Sequence, residues 1–300
     1  MSTRPDPAAP GERRTIVLVG ATSGIGWHAA LRLGALGHRL ILVGRDGRRG
    51  ERIISEVLGT RGADPGSVFL RGDVATRAGI EAVVRGIRAR TDAVDTLINN
   101  AGVMVPRRQV TSEGHELNLA VHHLAPYTMT GLLLPLLERG DGRIVNTNSE
   151  GHRTTMTGGG VDLDFDDLQS ERHYGLFLTY SRTKLANLLF TYEFHRRYPH
   201  LTIVAVHPGM VRTRLLRGVR NPALWLLNRV GRLTLTRPAE GARPLVHLAT
   251  ADRVANGRYH DRFTPTASSA QSMSRAGAER LWQITEGLRG PLTQSPAGGD

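Results

Sequence analysis

The chain has 300 residues, 40% of them apolar, no cysteine, and a formal net charge of +12 at pH 7. Without cysteine there is no disulfide, thiolate metal ligand or thiol nucleophile, so redox chemistry needs a bound cofactor, and the usage suits a reducing compartment. The positive charge is scattered arginine with only 5% aromatics to stack bases, which argues against a nucleic-acid partner, and no window approaches the roughly 20 apolar residues of a membrane span. The expectation is a soluble, cytoplasmic protein whose Pro-containing residues 1–12 are disordered.

Short β-branched and Leu-rich runs alternate with amphipathic stretches, the pattern of a parallel sheet wrapped by helices. A first strand over Thr15–Val19 runs straight into Gly20-Ala21-Thr22-Ser23-Gly24-Ile25-Gly26 and a helix over Ile25–Leu36. In that context a glycine turn means phosphate binding: Gly20 permits the tight turn, Gly24 lets backbone approach a pyrophosphate, Gly26 lets helix pack on strand, and the helix N-terminus offers N–H groups to the anion. The second strand, Arg39–Val43, ends in Gly44-Arg45-Asp46 before a helix over Gly47–Leu58. An acidic residue at this strand end would bind the ribose 2′-hydroxyl of NAD, whereas an Arg accommodates a 2′-phosphate. With glycine at 44 and Arg45 following, the expected cofactor is NADP(H), and Asp46 reads as a helix N-cap.

A third strand over Ser67–Leu70 precedes Asp73-Val74 and a helix over Arg77–Arg90, and a fourth over Val94–Asn99 leads into Asn99-Asn100-Ala101-Gly102. One long helix is expected over Glu113–Leu137. Strand five, Gly142–Asn146, is followed by Ser149, strand six, Leu201–Val206, by His207-Pro208-Gly209, and strand seven covers Gly257–His260. Between them lie helices over Leu176–Tyr198 and Pro238–Ala249. The fold expected is a single doubly wound Rossmann-type α/β domain over 13–263, with a seven-stranded parallel sheet flanked by helices. Residues 264–300, mixing Ser, Ala, Gly and Pro around one short apolar helix near Leu281–Leu288, read as a partly ordered tail.

Of 39 Lys and Arg residues only Lys184 is a lysine, and it follows Tyr180 by four. On a helix that spacing puts phenol and ammonium on one face, where the positive charge favours phenolate and makes the tyrosine a general acid/base.

The glycine turn, the Asn-Asn-Ala-Gly segment, the serine after strand five, the Tyr-x-x-x-Lys pair and the Pro-Gly turn after strand six resemble, in order, those of the short-chain dehydrogenase/reductases, over about Thr15 to Arg262. The resemblance implies hydride transfer between a nicotinamide and a carbonyl or carbinol carbon. It makes Tyr180 the acid/base, Ser149 a hydrogen-bond donor to the substrate oxygen, and Lys184 the holder of the ribose hydroxyls. Cofactor contacts fall on Gly20, Thr22, Ser23, Gly24, Ile25, Gly26, Arg45, Asp73, Val74, Asn100, Ala101, Gly102, Tyr180, Lys184, Pro208, Gly209, Val211 and Thr213. Asp73 equally suits a solvent-facing strand end.

Two positions depart from the family pattern. Val19 stands where a Thr is common, and His122, counted with the catalytic set, stands where an Asn backbone helps hold a water that passes protons to the lysine; His122 either alters that relay or simply packs. The stretch His152–Phe177 with its acidic run Asp162–Leu168 resembles the branch that holds retinol dehydrogenase-like, WW-domain-containing and protochlorophyllide reductases. That branch implies a bulky, apolar carbonyl or alcohol as small-molecule substrate. A Leu- and Trp-containing segment within about 215–236 falls where the family keeps a substrate lid, and would otherwise be a helix covering the sheet edge. Family pairing through Glu113–Leu137 and Leu176–Tyr198 would give a homodimer or homotetramer. A non-catalytic NADP(H) sensor of the same fold is the competing class.

Overall fold

The computed structural model describes residues 13–155, 158–211 and 235–292; Thr213 and all but the last two residues of the expected lid segment lie outside them. Eight strands form one sheet in the order β3-β2-β1-β4-β5-β6-β7-β8. They are β1 (Thr15–Val19), β2 (Arg39–Gly44), β3 (Val68–Arg71), β4 (Thr96–Asn99), β5 (Arg143–Thr147), β6 (Thr202–His207), β7 (Tyr259–Asp261) and β8 (Thr264–Thr266). The first seven run parallel and start within two residues of those expected. The eighth corrects the expected count of seven: it turns back antiparallel on β7. Pro265 hides it in the sequence, because proline is tolerated in a strand only at such an edge.

The strands are apolar on both faces, as a sheet covered twice must be. Ile16, Leu18, Leu40 and Leu42 face one layer, with α1 (Gly24–Ala35), α2 (Gly47–Leu58) and a late helix over Pro238–Thr250. Val17, Val19, Ile41 and Val43 face the other, with α3 (Arg77–Arg88) and the helices that follow β4 and β5. The period-2 alternation of the strands thus sorts neighbouring residues into two cores.

The long helix expected over Glu113–Leu137 is broken. One turn, α4 (Leu117–Leu119), passes through a widened π-helical turn, Ala120–Leu124, into α5 (Ala125–Leu137). Proline carries no N–H, so Pro126 cannot serve the carbonyl of His122 four residues earlier. The side-chain amide of Asn187 on α6 (Leu176–Arg197) donates to that carbonyl instead, at 2.9 Å.

Numbering the late helix α7 (Pro238–Thr250), the last, α8 (Arg275–Arg289), is longer than the short helix expected near Leu281–Leu288. Ser274 caps it, accepting from the Gly277 N–H at 3.0 Å, and its inward face is Ala278, Leu281, Trp282, Thr285 and Arg289. That face lies on α5 and α6. Trp282 stacks on Phe190 and meets Tyr127 edge-on, His123 Nε2 is 2.7 Å from Thr285 Oγ1, and Arg289 pairs with Glu113 at 2.6 Å. The chain's own last helix thus lies against part of the two helices expected to pair copies of the chain.

Six of the described histidines are buried. Burial holds His38, His122, His152, His207 and His260 below the usual imidazole range, and His123 at about 3. Such groups bind protons more readily unfolded than folded, so their contribution is complete above about pH 6.5 and declines as pH falls toward the depressed folded values, by up to ~1.4 kcal/mol per pH unit for each. The thermal midpoint, followed by circular dichroism, should fall as pH drops from about 7.5 to 5, before ordinary carboxylates titrate. A midpoint that is flat or rises over this interval contradicts neutral burial.

Candidate active site

The strand order reverses between β1 and β4, which opens a crevice above the carboxyl ends of the strands. Register brings the ends level: Val19 lies opposite Val43 and Asn99, and Asn99 opposite Asn146. The turn after β1, the segment after β4, Ser149 after β5 and Pro208-Gly209 after β6 therefore share one rim.

Gly20 (φ +88°) hands the chain from β1 to α1, and a Cβ there would lie 2.7 Å from the Ala101 backbone. A Cβ on Gly26 would fall 2.1 Å from the Gly20 carbonyl oxygen, so only glycine lets α1 come this close. Gly24 (φ +56°) instead faces open space, with nothing within 4 Å of a built Cβ. Ser23, exposed before α1, makes no side-chain capping bond, so the first N–H groups of the helix are not served by a cap side chain. Asn100 fixes the turn from the far side: its amide donates to the Gly20 carbonyl (3.2 Å), its oxygen accepts from Thr147 Oγ1 (3.3 Å), and its backbone N–H donates to Val19 (3.0 Å).

At the end of β2 a side chain on Gly44 would run into Thr22, its Cβ 2.5 Å from Thr22 Cγ2. Arg45 is exposed beside it, and Arg71 Nε donates to the Arg45 carbonyl at 3.3 Å. Asp46 caps α2 as expected, accepting from the Arg49 N–H at 3.1 Å. Asp73 folds onto its own turn, accepting from the Ala75 N–H (3.0 Å), and Val74 is buried. Gly102 is exposed at the rim, and Gly209 (φ +90°) is buried beside Arg262. Val211 makes a parallel bridge to Thr236.

α6 carries Tyr180 and Lys184 in under this rim. The Lys184 ammonium is buried 5.6 Å from the centre of the Tyr180 ring and donates to the Thr147 carbonyl at 3.0 Å. Ser149 caps a short turn over Glu150–His152, its Oγ accepting from the Gly151 N–H at 3.1 Å. Its hydroxyl proton is left to donate, and the Ser149–Tyr180 hydrogen bond favours phenolate. His122 stands behind Tyr180, the two rings edge-on with centres 5.4 Å apart.

Burial works against both charges. It raises the Tyr180 phenol above its usual value despite Ser149, and it lowers the Lys184 ammonium to about 7. The simple expectation that the lysine pulls the phenol down is thus outweighed by desolvation: around neutral pH the phenol keeps its proton and the lysine is only partly charged.

Sequence reading missed the groups that hold this pair. Asn148 Oδ1 accepts from the Ser149 N–H (2.7 Å), while its amide donates to the Lys184 carbonyl (3.0 Å) and to Asn187 Oδ1 (2.9 Å). Asn148 and Asn187 are both buried. The available signal was an amide next to Ser149 and another three residues beyond Lys184, on the inward face of the helix.

The short chain dehydrogenase family model matches residues 14–161. The chain is 33% identical over 298 residues to retinol dehydrogenase 14 of Homo sapiens, covering 93% of this chain and 87% of that protein. A crystal structure of a protein from Mycobacterium paratuberculosis matches it with a TM-score of 0.72 at 27% identity, over 92% of this chain and 93% of that one. The angucycline C-6 ketoreductase LanV with bound NADP shares the fold, with a TM-score of 0.65 at 22% identity over 87% and 96% of the two chains. The chain therefore belongs to the short-chain dehydrogenases. It is an oxidoreductase acting on CH–OH or C=O groups.

Replacing Asn148 by Ala takes away the partners of the Ser149 N–H and of the buried Asn187 Oδ1, and one of the bonds to the Lys184 carbonyl. The loss expected is about 1–3 kcal/mol in urea unfolding; a variant as stable as wild type contradicts this network.

Proposed function

We propose that the chain is an NADP(H)-dependent oxidoreductase that interconverts a carbonyl and an alcohol on a bulky, apolar substrate, with Tyr180 as general acid/base. The observation that carries this reading is the buried Lys184 ammonium beside Tyr180 and Ser149, on the same rim as the glycine turn. The residues present fit a dinucleotide. Gly24 leaves open the space a Cβ would take, at the mouth of a helix whose cap side chain is unengaged, and a fixed anion there is favoured by the helix N-terminus. At the adenosine end, Thr22 closes the position where a carboxylate would sit on the ribose, and Asp46 is engaged with its own helix. Arg45 is left as the exposed charge at that strand end, which favours a 2′-phosphate.

When bound, the nicotinamide supplies or takes up the hydride at the reacting carbon. The side chains handle the oxygen and its proton. In the reductive direction Ser149 donates a hydrogen bond to the carbonyl oxygen and Tyr180 gives its phenolic proton to the oxygen as the alcohol forms. The raised phenol suits that role, because the donor is loaded at neutral pH. As negative charge develops on the phenol, Lys184 gains an opposite charge beside it and holds its own proton more firmly. The oxidative direction reverses these transfers.

An apolar substrate is supported by Met210, 66% exposed next to Gly209 on the rim, and by the likeness to retinol dehydrogenase 14. No helix among the described residues is long and apolar enough to cross a membrane, and a cytoplasmic location is part of this proposal.

The test is a fluorescence titration of the purified protein with NADPH and with NADH, for wild type and Arg45→Ala, followed by a panel of apolar aldehydes and ketones. Wild type should bind NADPH at least about tenfold more tightly than NADH, Arg45→Ala should lose most of that preference, and carbonyls should oxidise the bound NADPH. Equal binding of the two overturns the NADP(H) assignment. Tight binding with no carbonyl reduced overturns the enzymatic reading in favour of a nucleotide sensor.

A further inference from the structure

We propose that His122 is a positioning residue, locked as the neutral Nδ1–H tautomer, that ties the segment after β4 to the Tyr180 turn of α6 through Thr183 and relays no proton. The proposal rests on the reading of Tyr180 as the acid/base, and it begins from two hydrogen bonds on one buried ring. The backbone N–H of Val103 donates to His122 Nε2 at 3.0 Å. A nitrogen that accepts from an N–H must present its lone pair, so Nε2 is unprotonated and the ring proton sits on Nδ1. Nδ1 lies 2.8 Å from Thr183 Oγ1, to which it donates. Thr183 Oγ1 passes its own hydrogen to the Tyr180 carbonyl, also at 2.8 Å.

The donors therefore run one way, from Val103 through His122 and Thr183 to the backbone of Tyr180. Every hydrogen on the ring and the hydroxyl is used. Val103 directly follows Asn100-Ala101-Gly102, the segment that steadies the glycine turn, so the chain of bonds fixes the cofactor side of the crevice relative to the phenol. The edge-on contact with the Tyr180 ring adds a steric stop. A shuttling imidazole would have to take a proton on Nε2, which would then point at the Val103 N–H. The titratable neighbours on the packed elements are Lys184 and Tyr180 on α6 and His123 beside it, and none offers a negative charge that would favour imidazolium. Burial, with the Lys184 charge second, holds His122 well below the usual imidazole range.

Nitrogen-15 NMR of histidine-labelled protein tests the tautomer without any substrate, with the His122 signals assigned by their loss in His122→Gln. The expected spectrum shows a pyridine-type Nε2 and a pyrrole-type Nδ1, both unchanged between about pH 6 and 8. A protonated Nε2, or a titration within that range, overturns the proposal even if the protein proves to be no reductase. With a carbonyl substrate, His122→Phe and Thr183→Val should each lower kcat by about ten- to a hundredfold, with the KM for NADPH changed by less than about threefold. His122→Gln, which keeps one acceptor and one donor but cannot titrate near neutrality, should restore most of what His122→Phe loses. If the glutamine variant is as slow as the phenylalanine one while Thr183→Val is fast, the ring carries protons and the positioning role is wrong.

Discussion

A buried amide rung joins the two central strands of this largely apolar sheet, and the site depends on it. Asn99 and Asn146 are register partners on β4 and β5; the Asn99 amide donates to Asn146 Oδ1 at 2.9 Å, and the Asn146 amide donates to Thr191 on α6 at 3.0 Å. All three are buried, so a slip of one residue along either strand would leave amides unpaired in hydrocarbon. Because only one register satisfies the rung, the ends of β4 and β5 and the face of α6 are fixed together, and with them Asn100, Ser149 and Lys184.

The same economy governs the charges. Lys184 is lodged where water cannot stabilise it, held by backbone carbonyl oxygen rather than by a carboxylate, and it is close to losing its proton at neutral pH. An ammonium in that state responds strongly to a negative charge forming next to it, which in a low-dielectric pocket is worth far more than at the surface. This explains why one lysine survives in a chain whose other basic residues are all arginine. A compact ammonium on a flexible stem can be buried and can shift its proton affinity, whereas a guanidinium stays charged and brings five donors to satisfy.

Much of this was legible in the sequence, for physical reasons that differ from element to element. Two-sided apolar strands and the Gly20–Gly26 turn announce themselves through side-chain period and backbone freedom, both local properties. The i,i+4 pair of Tyr180 and Lys184 is legible because a helix turns spacing into adjacency. Asn148 and Asn187 were not legible, since an amide declares its partners only once two distant segments meet. The π-helical turn escaped notice although Pro126 signals it, because apolar periodicity runs straight through the break. Only the second half of α8 was read, as the short helix near Leu281–Leu288, because the surrounding Ser, Ala, Gly and Pro obscured the rest of its inward face.

The central claim is that proton transfer resides at the Tyr180 phenol while the cofactor cradle is built from other residues. Replacing Tyr180 by Phe removes one oxygen from a ring packed against His122 and Lys184 and leaves the glycine turn untouched. Measured side by side, calorimetric NADPH affinity should stay within about threefold of wild type while steady-state carbonyl reduction falls by at least about a hundredfold. A Tyr180→Phe variant that turns over at the wild-type rate would contradict the account.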